Sequence, residues 1–177
     1  MIRESRVPER EGRVMVRSKS VKDYRTLRFE SYEDVRRELD SLEAANRAGS
    51  IRASGNWTPG QVYSHLAAFM DFPYDGYPPV LKRPSMPLRL LLRAMKHRFL
   101  NQGLPRGVFI SGVPGGTVGA DDVSFDDGIA RLRRSMDRAE KSAPSIPNLV
   151  FGPMTSEEWN ALQRRHCELH LGYLHPR

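Results

Sequence analysis

At four places along this chain a Ser or Thr standing three residues ahead of an Asp, Glu or Gln is followed by apolar residues at helical spacing. The pairs are Ser31 with Asp34, Thr58 with Gln61, Ser124 with Asp127, and Thr155 with Glu158. In such a pair the first side chain accepts from the backbone N–H three residues on. The second reaches back to the cap N–H, so donors that a starting helix leaves unpaired are satisfied. Behind the caps, Val35, Leu39 and Leu42 share one face, as do Val62, His65, Phe69 and Phe72. Phe125, Ile129, Leu132, Met136 and Ala139 form a third stripe, and Trp159, Leu162, His166, Leu169, His170 and Tyr173 a fourth. A period of 3.6 without sustained alternation predicts helices and no sheet, hence an all-α bundle.

Punctuation sets the limits of these helices. The first runs from Ser31 to Gly49, a residue suited to the position after a helix. It is approached by an extended segment, Arg25–Phe29. The second has Pro59 at its first position and is predicted to stop at Pro73. Residues 73–86 read as a Pro/Gly/Tyr loop, and a further helix is expected over Pro87–Leu100. Its Leu88, Leu91, Leu92, Met95 and Phe99 make an apolar stripe opposite Arg89, Arg93 and Lys96. Residues 103–123, GLPRGVFISGVPGGTVGADDV, form a connection of unusual length for a compact domain, one expected to cover something or to hold a short strand at Val108–Ser111.

At 177 residues the chain is long enough for a core without disulfides, and its one cysteine, Cys167, excludes a disulfide framework and a cysteine-based zinc finger. No apolar run reaches the length of a membrane span. The first 20 residues are charged and aperiodic, with no secretory h-region, so a mobile tail over 1–20, one domain over 21–177 and a cytoplasmic address are expected. Met15 is an alternative start. The net charge of +7 points to anionic partners of some kind.

Chemistry is concentrated in the histidines. His166 and His170, four apart on one helix, present their rings to one point, the pattern of a two-ligand metal clip. A catalytic site needs a third protein ligand and an open position. His175 falls at a frayed end, and His97 lies among Lys96 and Arg98, where a cation is repelled. His65, on the apolar face of the second helix, is the best third ligand. A lone His on such a face is also the pattern of a core histidine, and an i,i+4 pair that of surface decoration, so spacing leaves both readings open. Three buried, unpartnered imidazoles would be costly, and a shared ion removes that cost.

Two blocks of the sequence resemble a known superfamily. GNWTPGQVYSHLAAFMD is similar to the second helix of the DinB-like (damage-inducible, YfiT-like) proteins, where a Trp-Thr/Ser-x-x-Gln/Glu cap precedes a ligand His. FGPMTSEEWNALQRRHCELHLGYL is similar to their last helix, with its HxxxH pair. The opening LRFESYEDVRRELDSL resembles one uncharacterised bacterial subfamily of domain-of-unknown-function proteins within it. The resemblance spans about residues 24–174. It implies an up-down-down-up four-helix bundle with an extra helical segment, often homodimeric. It also implies a divalent metal, zinc or nickel, held by His65, His166 and His170. Some relatives are thiol-dependent transferases, so a metal-dependent hydrolase or thiol transferase acting on a small molecule is one expectation. On three neutral imidazoles a divalent ion keeps its full charge and acidifies a water or thiol.

Gln61, Trp159 and Tyr173 are candidate substrate contacts, with Trp57 a further possible wall. Gln61 and Gln163 lie within about a turn of a ligand. Glu168 and Asp71 are placed off the ligand faces, so no carboxylate is predicted as a general base. Cys167 is turned about 100° from His166 and should not reach the same ion. GVPGGTVG lacks the ending of a phosphate-binding loop. Leu81 to Gly107 holds seven Lys/Arg and no acid. A second class of function follows from that run: a non-catalytic bundle whose basic helix 87–100 binds an acidic partner or surface. Nucleic acid is disfavoured there, because aromatic residues for base stacking are lacking.

Overall fold

A computed structural model describes residues 18–177 apart from 111, 114 and 115. Met15 and all but the last three residues of the expected tail lie outside that range. Among the described residues the chain is mostly helical. A single 3-10 turn, Ser18–Ser20, precedes α1 (Tyr32–Arg47), α2 (Pro59–Asp75), α3 (Met86–Ala94), α4 (Lys96–Gln102), α5 (Phe125–Lys141) and α6 (Ser156–Leu171). Two short strands, β1 (Arg52–Ala53) and β2 (Leu174–His175), pair antiparallel. No helix among the described residues is long and apolar enough to cross a membrane.

The four capping signatures all operate. Ser31, Thr58 and Thr155 close full capping boxes with Asp34, Gln61 and Glu158, and Ser124 accepts from the Asp127 N–H. The helices they start supply the core: Val35, Leu39 and Leu42 from α1, Val62, Tyr63, Leu66 and Met70 from α2, Ile129, Leu132 and Met136 from α5, Cys167 and Leu171 from α6. α2 and α5 approach closely near their N-termini because both are glycine there. A Cβ on Gly60 would stand 2.1 Å from the Val123 carbonyl oxygen, and one on Gly128 2.9 Å from that of Gly60.

Several expectations need correction. α2 does not end at Pro73 but continues to Asp75. Proline removes the N–H that would bond the Phe69 carbonyl, and Gln163 of α6 donates its side-chain amide to that carbonyl instead, at 3.2 Å. The helix expected over Pro87–Leu100 begins at Met86 and breaks at Met95 into α3 and α4. Its apolar stripe is not a core face: Leu88 and Leu91 are about half exposed, while Lys96 pairs with Glu158 at 2.5 Å. Val108, Phe109 and Ile110 form no strand, and Ser111 lies outside the described residues.

The short β1–β2 ladder also departs from the expectation of no sheet. Arg52 pairs with His175 and Ala53 with Leu174, and the Ser54 N–H donates to the Tyr173 carbonyl at 2.8 Å. His175 is therefore buried and bonded to Ser54 Oγ rather than frayed. The 103–123 connection does cover something. Val113 is buried, Gly119 packs on Ala68 of α2, and Asp121 accepts from Ser64 of α2 and Arg131 of α5.

Candidate metal centre

α2 carries His65 on the flank turned away from the Leu66 and Met70 core, toward α6 and the covering loop. Both flanks of α2 are therefore buried, and His65 is 2% exposed. α6 runs beside it and presents His166 and His170 one turn apart. The three rings meet. His65 Nε2 and His166 Nε2 are 3.2 Å apart, and the ring centroids of His65, His166 and His170 lie 4.5–5.0 Å from one another. One ring nitrogen from each falls within 4.8 Å of the others.

The second nitrogen of His65 shows how that ring is set. Its Nδ1 lies 2.8 Å from the Val118 carbonyl oxygen. A carbonyl only accepts, so Nδ1 carries the proton and donates, which leaves the Nε2 lone pair aimed at the cluster. Ligating histidines are held by the same kind of bond. Two nitrogens on one tetrahedral ion with N–metal bonds near 2.05 Å lie about 3.3 Å apart, close to the His65–His166 spacing. The donor set thus fits a divalent ion that takes imidazole nitrogen.

Burial favours the uncharged rings. It pulls the pKa of His65 down to about 4, against the raising effect of the Val118 bond. Burial lowers His166 and His170 well below the ordinary histidine value, and the neighbouring imidazoles add to the effect. Neutral imidazole is the form that ligates. Aromatic rings close the surroundings: Trp57 stacks on His170 at 5.4 Å and 13° and tilts against His65, while Phe69 packs against His65 and His166.

The other candidates sit elsewhere. Gln61 is used in the Thr58 cap. Trp159 and Gln163 line a small cavity with Tyr32, Met70 and Tyr74. Tyr173 packs edge-on against Tyr24 and donates to the Ser18 carbonyl. Asp71 accepts from Ser135, and Glu168 pairs with Arg165 and accepts from the Phe29 N–H. Cys167 points into the core, and burial raises its thiol pKa far above the ordinary value. His97 is exposed on α4, beside Asn101. The contact that sequence reasoning missed is the Val118 carbonyl. The long Gly-rich connection hinted that something was covered, but a main-chain group has no residue type to betray it.

Fold and site together define a mostly helical protein with a three-histidine group, His65 buried and His166 and His170 part-buried, that could hold a metal ion. The chain belongs to the family described as protein of unknown function (DUF1569), whose profile matches residues 21–177. No curated protein and no solved structure matches the chain.

Proposed function

We propose that residues 21–177 form a metal-binding bundle of the DinB-like type, with His65, His166 and His170 as the ligands of one divalent ion, and that the site serves a metal-dependent reaction on a small molecule. The observation that carries this reading is the convergence of three neutral imidazoles from two helices, His65 buried and His166 and His170 part-buried, with His65 oriented by a backbone carbonyl. Bound there, a divalent ion would supply Lewis-acid polarisation of an oxygen or sulfur of the substrate. The chain's own part is to keep the rings unprotonated, to hold the His65 tautomer through Val118, and to exclude bulk water with Trp57 and Phe69.

Of the two chemistries that the DinB-like resemblance offers, transfer to a thiol suits this site better than hydrolysis. A thiol loses its proton far more easily than water. The cluster contains imidazoles alone, and the neighbouring carboxylates Asp71 and Glu168 are committed to Ser135 and Arg165.

Metal analysis of protein purified without a histidine tag tests the reading. About one equivalent of a divalent metal is expected, with loss in His65→Ala and in His166→Ala while the circular dichroism stays helical. Protein that takes up no metal when supplied with zinc or nickel, or a His65→Ala variant that binds as well as the parent, would refute it.

A further inference from the structure

The three-histidine site leaves one exposed apolar surface of the described residues, on α3, unexplained. α3 buries none of its nine residues. Met86 is 60% exposed, Leu90 59%, Leu91 57% and Leu88 47%. At 100° per residue, Met86, Leu90, Ala94, Pro87, Leu91 and Leu88 follow one another around the outward side of the helix. Arg89 and Arg93 fall together on the remaining flank. Apolar side chains on the outer side of a helix that gains nothing from the core call for a partner.

Charge says which kind. The stretch from Leu81 to Gly107 contains seven Lys/Arg and no acid. Lys82, Arg83, Arg93 and Arg98 in it are exposed. A two-fold contact with a second copy through α3 would set this cationic stretch against itself. An amphipathic peptide needs a groove between elements, and α3 is a ridge. A convex apolar ridge with cations at its margins matches a flat, anionic, apolar-cored surface.

We propose that α3 docks this protein on an anionic lipid bilayer. Met86, Leu88, Leu90 and Leu91 enter the interface, while flanking cations such as Arg83 and Arg93 meet the lipid phosphates. The association is peripheral and depends on both components: apolar insertion gives residence, and charge gives selectivity for anionic lipid.

Co-sedimentation of the full chain with vesicles tests this directly. The vesicles are phosphatidylcholine alone, or phosphatidylcholine with about 30 mol % phosphatidylglycerol. Binding to the mixed vesicles should exceed binding to the neutral ones by about tenfold and should weaken when salt is raised from about 0.05 to 0.5 M. Leu90→Glu with Leu91→Glu should cut it by about tenfold at unchanged melting temperature, because both side chains are mostly exposed already. Arg83→Glu with Arg93→Glu should reduce it without touching the apolar ridge. Equal binding to both vesicle types, or binding indifferent to the leucine changes, would overturn the proposal. So would a dimer in light scattering that the leucine variant dissolves, since that result assigns the face to a second copy.

Discussion

His65 is the residue on which the site turns, and its environment has a measurable consequence. In the metal-free folded protein, burial holds the pKa of this ring down at about 4, whereas a solvated histidine takes up its proton near 6.5. Between those values the unfolded chain binds more protons than the folded one, so stability must fall as the pH drops through that window. Denaturant midpoints measured in chelator from about pH 7 to pH 5 should decline, and His65→Phe should flatten part of that slope. A flat parent profile would contradict the burial of neutral rings. The ligand candidates themselves were legible in the sequence, because i,i+4 spacing and an apolar stripe carry ring positions directly. Val118 was not legible, since any residue type offers the same carbonyl. Gln61 read as a candidate contact because its role as a cap partner and its nearness to His65 follow from the same spacing.

At the level of elements, local signals sufficed where the cause was local. The N-caps at Ser31, Thr58, Ser124 and Thr155 each depend on a side chain bonding three residues ahead, and all four stand where the sequence puts them. Pro73 is different. Its effect on α2 depends on Gln163, ninety residues away, which accommodates the carbonyl that proline orphans. Gln163→Leu should therefore cost about 1–3 kcal/mol in urea unfolding, the usual penalty for a buried acceptor left unpaired. Pro73→Ala supplies an N–H for the same carbonyl, so the Gln163→Leu cost should shrink in that background. A strictly additive double mutant would show that the amide does not substitute for the missing donor. The break at Met95 and the exposed α3 were hidden for the same reason: amphipathic spacing predicts a stripe but not whether the fold provides a core for it.

Across the whole molecule, α1, α2, α5 and α6 build one core, and the β1–β2 ladder clasps residues 52–53 to 174–175. Leu174 in that clasp is 0% exposed. Leu174→Ala is expected to cost about 2–5 kcal/mol of stability by thermal unfolding. A cost within about 0.5 kcal/mol, the range for surface positions, would show the clasp to be loose. Two-residue strands have no alternation to read, so this feature was invisible beforehand.

The chain distance between the ring on α2 and the first ring on α6 is 101 residues. A ribosome adding about 5–20 residues per second delivers His65 some 5–20 s before His166. Throughout that interval the nascent chain carries a single ring of the three. A metal ion that needs all three, as proposed above, would be captured only after the last helix has been made and has folded back, so loading would be a late event in biogenesis rather than a seed for it.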